Sequence, residues 1–295
     1  MTFDEVETFV CIAETGGFTE ASRQLHRSQP AISRRIHELE RRLGAALFVR
    51  AGRRVTLTDA GRALLPYAEA ALAAVRDGAS AVRDRAGHGA LSFRLAIVGT
   101  LADSHIVDVL REFTSRTDNA SVDLRTATSR EVSTLVRSGQ ADLGLRYNVD
   151  TDLKLESIPL GDEKLYVVVP ANHRISAERV PNLHQLQDEQ WLSFPAERGQ
   201  SGSFRDLLER HLALNPAITT VDSLTAQKRL IEAGLGVALM PVANIREELR
   251  IGSLRVIDVD GLDARIPVVA VRRAGGYQSR AVTDFLALLT SWATR

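Results

Sequence analysis

The chain has 295 residues, 44% of them hydrophobic and 25% charged, with 37 basic side chains balancing 37 acidic ones. That length accommodates about two domains of ordinary size. The single cysteine, Cys11, excludes an intramolecular disulfide, and no apolar run approaches the roughly 20 residues that span a bilayer. The acidic start MTFDEVETFV lacks the basic opening of a signal peptide, so a cytoplasmic protein with no membrane partner is expected.

Overall neutrality hides a local excess. Between Ala21 and Arg54 there are nine Arg against two acids, Glu38 and Glu40. A basic patch on a small helical unit is the electrostatic footprint of a DNA reader. The unit starts with Thr2 and Glu5 at capping-box spacing, and Phe3, Val6, Val10 and Ala13 then recur at helical period. Gly16-Gly17 ends this helix. Thr19 is expected to cap a second helix through Leu25, and Ser28 a third, where Pro30 is tolerated in the first turn.

In the third helix Ile32, Ile36, Leu39 and Leu43 form one stripe. The opposite face carries Pro30, Arg34, His37 and Arg41, flanked by Gln29 and Ser33. Such a front suits the major groove: Gln pairs with adenine, Arg with guanine, and Ser with phosphate or a base edge. An ordinary amphipathic surface helix has the same pattern, so this helix alone does not decide. The next segment adds weight. Leu47-Phe48-Val49-Arg50 and Arg54-Val55-Thr56-Leu57 flank Ala51-Gly52-Arg53 as a hairpin with Gly at its tip. Its Arg50, Arg53 and Arg54 would reach phosphates or a narrow minor groove.

The run HRSQPAISRRIHELERRLGAALFVRAGRRVTLTDAG, with FVCIAETGGFTEASRQL before it, resembles the DNA-binding signature of the LysR-type transcriptional regulators. The resemblance implies a winged helix-turn-helix over residues 1–58 that contacts a dyad-symmetric, double-stranded operator. It assigns groove contact to Gln29, Pro30, Ser33 and Arg34. Phosphate or minor-groove contact falls to Ser28, Arg50, Arg53 and Arg54. Arg41 and Arg42 are expected to be solvated or paired with Glu38 and Glu40.

Thr58 is placed to cap a long helix reaching about Arg85 and interrupted by Pro66. Leu65, Ala68, Leu72, Val75, Ala79 and Val82 follow the spacing of a coiled-coil seam, although packing on its own domain would give the same pattern. The resemblance makes residues 59–89 a linker helix that pairs two subunits, so that a homodimer or homotetramer reads two half-sites. Ala86-Gly87-His88-Gly89 then breaks the helix. The charge up to Ala90 is +2 (13 basic, 11 acidic), which leaves −2 for the remainder, so the larger domain is not a second nucleic-acid surface.

From Leu91 onward, apolar runs alternate with amphipathic ones in the βαβ rhythm of an α/β fold. LSFRLAIVG, SVDLRTA and ADLGLRY read as strands around the helices SHIVDVLREFTSRT and EVSTLVRSG. KLYVVVP, QWLSFPA, AITTVD and GVALMP read as strands around SFRDLLERHLAL and LTAQKRLIEAG, and ARIPVVAVRR and SRAVTDFLALLTSW complete the chain. Crossovers near Pro159–Glu163 and Val259–Ile266 would divide residues 90–295 in two. Lobe 1 is then about 90–160 and 267–295, and lobe 2 about 161–266. This arrangement resembles a periplasmic-binding-protein-like effector domain, and LIEAGLGVALMP resembles the LysR-type one.

Ligands in such folds sit between the lobes, at strand C-termini and helix N-termini. The hydroxyl-rich turns there favour a small anion such as a carboxylate. With the family pattern they point to Thr100, Leu101, Thr128, Ser129, Ser193, Phe194, Ser201 and Ser223 as effector contacts. Each Ser or Thr taken alone reads more readily as a helix cap than as a ligand contact, Phe194 fits the core or an apolar wall alike, and Arg146 fits either a carboxylate or an ion pair. No nucleophile elbow, dinucleotide fingerprint, P-loop or metal-ligand spacing is present, so neither catalysis, a cofactor nor a metal is expected. The default for Cys11 is a buried structural thiol. The leading reading is a DNA-binding transcriptional regulator in which an effector shifts lobe populations, altering DNA bend and contact with RNA polymerase. The alternative is a constitutive DNA-binding protein whose C-terminal lobes only oligomerise.

Overall fold

The computed structural model describes residues 1–51, 54–86, 92–102, 106–116, 120–195, 204–211 and 217–293. Helix α1 (Phe3–Thr15) begins with the Thr2–Glu5 capping box and ends on left-handed Gly16. Helix α2 (Phe18–Gln24) starts one residue before Thr19, so Gly17 takes the capping position and the expected Thr19 cap does not form. Phe18 is drawn into the helix because its ring is buried against Phe48, with centroids 5.9 Å apart. Helix α3 (Gln29–Leu43) follows a turn in which His26 takes a φ of 50°. Strands β1 (Phe48–Ala51) and β2 (Arg54–Leu57) pair antiparallel as the hairpin.

Helix α4 (Asp59–Ala86) runs 28 residues and contains Pro66. Thr58 caps it, accepting the Gly61 amide at 3.0 Å while its hydroxyl donates to Ala46 O at 2.7 Å. One apolar core joins these elements. Phe9, Ile12, Ile32, Ile36, Leu39 and Leu47 pack together, and Ala68 and Leu72 of α4 belong to the same cluster.

The α/β part begins with β3 (Ser92–Val98), the single turn α5 (Gly99–Ala102) and α6 (Ile106–Arg116). Strand β4 (Ser121–Ala127), α7 (Ser129–Arg137) and β5 (Leu143–Tyr147) follow. Strand β3 pairs parallel with both β4 and β5. Strand β6 (Leu155–Pro170) then runs unbroken for 16 residues and serves both halves. The expected crossover at Pro159–Glu163 runs within one continuous strand. The register supplies the reason: Val269 opposes Pro159 and Val268 opposes Gly161, which leaves Leu160 as an extra, bulged residue. A bulge accommodates a proline that cannot donate to the ladder and redirects the strand. Gly161, at φ +114°, supplies the conformation that a side chain would resist.

The second half holds β7 (Arg179–Val180), β8 (Trp191–Ser193), α8 (Phe204–His211), β9 (Ile218–Thr220), α9 (Leu224–Glu232) and β10 (Val237–Pro241). Helix α10 (Arg246–Ile251) and β11 (Leu254–Val259) complete it, two elements that apolar patterning did not reveal. Strand β10 lies parallel to β8 and antiparallel to β6, and β8 is parallel to β9. The chain returns on β12 (Arg265–Arg273), antiparallel to β6 from Arg265↔Lys164 to Arg273↔Leu155, and ends in α11 (Arg280–Ala293). The paired strands β6 and β12 thus form the hinge between lobes.

Candidate nucleic-acid interface and interlobe cleft

The back of α3 is closed: Ile32 and Leu39 are fully buried and Ile36 nearly so. Gln29, Pro30, Arg34, His37 and Arg41 are exposed on its front, and Ser33 is half-buried. Ser28 sits at the capping position, but its side chain makes no capping hydrogen bond, contrary to the expected cap. The hydroxyl and the amides of the first turn therefore stay available to an anion.

Ion pairing sorts the arginines of the patch. Arg23 pairs with Glu20 at 2.7 Å, Arg35 with Asp4 at 2.8 Å, and Arg41 with Glu38 at 3.9 Å. Arg42 pairs with Glu5 at 3.4 Å, not with Glu40, because Glu40 is occupied elsewhere. The Glu40 carboxylate accepts the amides of Leu47 at 2.7 Å and Phe48 at 3.3 Å, which anchors the hairpin to α3. Among the described residues Arg27 and Arg34 are exposed and carry no carboxylate partner. Arg53 lies outside the described residues, as do the side chains of Arg50 and Arg54; the backbone register places Arg50 opposite Val55 and Ala51 opposite Arg54.

Strand registers gather the cleft candidates. Tyr147, at the C-terminal end of β5, opposes Val268, which in turn opposes Gly161 of the hinge. The C-terminal ends of the parallel strands β3, β4 and β5 thus face the hinge. Across it, Pro241 at the end of β10 opposes Leu165, so β8, β9 and β10 also end there. Thr100, Leu101, Thr128 and Ser129 lie on one side of this junction, and Ser193, Phe194 and Ser223 on the other. Ser201 lies outside the described residues.

Their individual roles differ. Thr100 and Leu101 are buried, and the Thr100 hydroxyl donates to Tyr147 Oη at 3.1 Å. Thr128 is exposed and caps α7 in a capping box with Glu131, while Ser129 is half-buried. Ser193 is buried and donates to Phe194 O at 3.3 Å, and Phe194 is half-buried. Ser223 caps α9 through the Ala226 amide at 3.3 Å. Arg146 lies within β5 rather than past its end. Its guanidinium is buried and committed to Asp150 and to the Ser133 hydroxyl, the latter at 2.6 Å.

Residue patterning did not single out two further groups at the hinge. Tyr147 Oη donates to Glu163 Oε2 at 2.9 Å. Burial raises the Glu163 carboxyl above its usual range, and the Tyr147 bond only partly offsets this. Burial likewise pushes the Tyr147 phenol well up. Neither residue carries a spacing signal, because they meet only through strand register.

Residues 3–62 match the bacterial regulatory helix-turn-helix protein family of LysR type, and residues 86–294 match the LysR substrate binding domain. The chain belongs to the LysR family. This makes it a LysR-type DNA-binding transcriptional regulator with an effector-binding domain, in a family of regulators rather than enzymes. It is similar to the RuBisCO operon transcriptional regulator of Allochromatium vinosum, 26% identical over 295 residues that cover 99% of this chain and 96% of that one. Among solved structures it resembles CbnR, a LysR family transcriptional regulator, at 25% identity with a TM-score of 0.70 and 99% of both chains covered. Full-length CbnR complexed with its target DNA gives 25% identity, a TM-score of 0.67 and 99% coverage of both chains.

In this LysR-type regulator α4 has two unlike faces. Leu65 packs against the helix-turn-helix core, and Ala68 and Leu72 are buried in it, so the first half of the expected seam faces its own chain. Val75 and Val82 are 54% and 68% exposed, and Ala79 is exposed as well. Heptad spacing identifies an apolar stripe but not the partner that covers each part of it. Among the described residues no helix is long and apolar enough to cross a membrane, and no cluster of three or more His, Cys, Asp or Glu is suited to a metal ion.

Proposed function

We propose that the front of α3 reads operator DNA, with Gln29, Pro30, Ser33 and Arg34 toward base edges and Ser28 and the hairpin arginines Arg50, Arg53 and Arg54 toward phosphates. The observation that carries this reading is the sorting of the patch. Neighbouring arginines are tied to acids, while Arg34 projects unpaired from a helix whose back is immobilised. An unpaired guanidinium on a rigid helix is pre-organised for bidentate contact with guanine. The similar protein CbnR has been seen in complex with its target DNA, which supports DNA binding by this chain. The exposed half of α4, with Val75, Ala79 and Val82, pairs with a second copy, and dimers assemble further to bring two half-sites within reach. Selecting binding sites from genomic fragments and footprinting them tests the assignment. Arg34→Ala should lose about 1–3 kcal/mol of operator affinity and relax specificity at the contacted base. An unchanged footprint and affinity would remove Arg34 from the interface.

The regulatory reading is that a small anion or carboxylate binds between the lobes and shifts their populations. Converging helix starts at Ser129 and Leu224, with hydroxyls at Thr100, Thr128, Ser193 and Ser223, support it. A second reading, constitutive DNA binding with lobes that only oligomerise, is favoured by the charge of the hinge. Arg146 is already neutralised by Asp150, and the group facing the junction is the acid Glu163. Thermal melting of the full chain with a panel of small carboxylates separates the two: a saturable rise in melting temperature selects the effector reading.

A further inference from the structure

The second half of α4 has a face that belongs neither to the helix-turn-helix core nor to the exposed valine side. Ala73, Asp77, Ser80 and Asp84 follow one another on it in steps of four and three. Asp77 pairs through one oxygen with the Arg273 guanidinium at the end of β12, and the two side chains are only 22% and 15% exposed. Its other oxygen accepts the Tyr277 amide at 3.2 Å. Asp84 accepts the Arg280 amide at 3.0 Å and the Tyr277 hydroxyl at 2.9 Å. The Arg280 amide opens α11, where the helix itself offers no acceptor, so Asp84 supplies one from a distant part of the chain.

Packing reinforces these bonds. Gly139, in the turn after α7, approaches so closely that a Cβ there would stand 2.7 Å from the Ala73 methyl carbon and would collide with the Arg273 guanidinium. Arg76 donates to the Gly139 carbonyl at 3.3 Å, and Gln140 donates to Glu14 near the end of α1 at 2.6 Å. Among the described residues, the bonds that α4 makes beyond itself from Arg76 to Asp84 run to the turn after α7, the end of β12 and the start of α11. All three places lie in lobe 1. Helical residues two positions apart stand about 200° apart around the axis, so Val75 and Val82 point away from Asp77 and Asp84.

We propose that Asp77 and Asp84 lock α4 onto lobe 1, so that the DNA-reading unit, α4 and lobe 1 form one rigid body and lobe 2 is the part that swings. Two attachments about 10 Å apart along the axis fix the direction of a helix, where a single one would leave a pivot. Both are carboxylates holding backbone amides, and charge-assisted bonds of this kind are the strong ones. The chain enters lobe 2 on β6 and returns from it on β12, and β6 carries its bulge at the crossing, between Pro159 and Gly161. On the effector reading proposed above, a ligand that closes the cleft moves lobe 2 against a fixed DNA-reading body and leaves the angle of α4 on its own lobe unchanged. The lock itself stands apart from that reading, because none of its bonds reaches the cleft.

Spin-label distances in the full chain test this, with labelled chains diluted into unlabelled ones so that only distances within one chain are read. In a Cys11→Ser background, Thr19→Cys on α2 is combined with Ala287→Cys on α11 or with Ala233→Cys at the end of α9; all three positions are exposed. The α2–α11 distance should form a single narrow population and the α2–α9 distance a broader one, the shared α2 label contributing equally to both. Asp77→Ala with Asp84→Ala should broaden the α2–α11 distance to the width of the α2–α9 one. Asp84→Asn, which keeps an oxygen for the Arg280 amide, should leave it narrow. Should the double variant fail to fold, Asp84→Ala alone removes one of the two attachments and should still broaden it. No ligand enters the measurement, so its outcome is separate from that of the melting panel. An α2–α11 distance as broad as the α2–α9 one in the unmodified chain, or one that stays narrow in the folded alanine variants, would overturn the lock.

Discussion

The Glu40 carboxylate accepts the Leu47 amide at 2.7 Å, across the turn that separates α3 from the hairpin. A second bond from the Phe48 amide, at 3.3 Å, makes Glu40 the post on which the wing hangs. Glu40→Ala leaves both amides without a partner and should cost about 1.5–3 kcal/mol, the range for hydrogen bonds to a charged group. The wing would then lose its fixed distance from α3, and DNA affinity should fall although Glu40 itself repels phosphate. Urea unfolding and DNA titration of the variant measure both effects. Tighter DNA binding by Glu40→Ala would mean that charge, not wing position, is what Glu40 contributes.

Gly61 shows how closely α4 must approach the wing. A Cβ at this position would lie 2.2 Å from Leu47 O and 2.8 Å from the Leu57 side chain. The oxygen belongs to the backbone and also accepts the Thr58 amide at 3.0 Å, so it has little freedom to retreat. Gly61→Ala should destabilise the protein by about 2–4 kcal/mol despite the better helix propensity of Ala. Thermal unfolding checks this; a stability within a few tenths of the unmodified chain would place the wing farther from α4 than 2.2 Å implies.

Much of the DNA-binding unit was legible because its signals are local. Thr2 and Glu5 stand three residues apart, and Ile32, Ile36 and Leu39 repeat at helical period. The partner of Arg42 was not legible: Glu40 is nearer in sequence, but folding brings Glu5 to Arg42 and the Leu47 amide to Glu40. The hinge shows the same limit. Pro159–Glu163 read as a crossover, but the bulge within it was not legible, because Pro159 and Gly161 become its flanks only through pairing with Val269 and Val268. Thr100, Tyr147 and Glu163 come together from three separate elements, and no periodicity in one segment announces such a meeting.

The two faces of α4 predict how the oligomer should respond to substitution. Val75 and Val82 are mostly exposed, seven residues apart on the side away from the chain's own core. Val75→Asp with Val82→Asp places like charges opposite one another in a paired helix while touching nothing buried in the single chain. The variant should be monomeric by analytical ultracentrifugation at micromolar concentration, with an unchanged unfolding profile for its helix-turn-helix core. Its affinity for a two-half-site operator should drop about a hundredfold or more, because the second half-site is no longer held at high effective concentration. An unchanged oligomer would assign self-association to the lobes.

The start of α1 predicts a pH dependence of stability. The Thr2 amide donates to Glu5 Oε2 at 2.7 Å, and Arg42 stands 3.4 Å from the other oxygen. That backbone hydrogen bond is the main reason the Glu5 carboxyl is held below its usual range; burial opposes it, and Arg42 and the N-terminal ammonium add to it. A carboxyl with a lowered folded value contributes stability that is fully present above its unfolded value and is lost as pH falls through the folded one. Glu5→Gln removes this contribution and loosens the capping box, so it should cost about 1–2 kcal/mol at pH 7. The difference between the two proteins should shrink steadily below about pH 4.5, the ordinary carboxylate value for Glu. Urea unfolding at pH 7, 5 and 3.5 follows it. A gap that stays constant over this range would show that Glu5 acts through packing alone, and that neither the Thr2 amide nor Arg42 distinguishes its charged form.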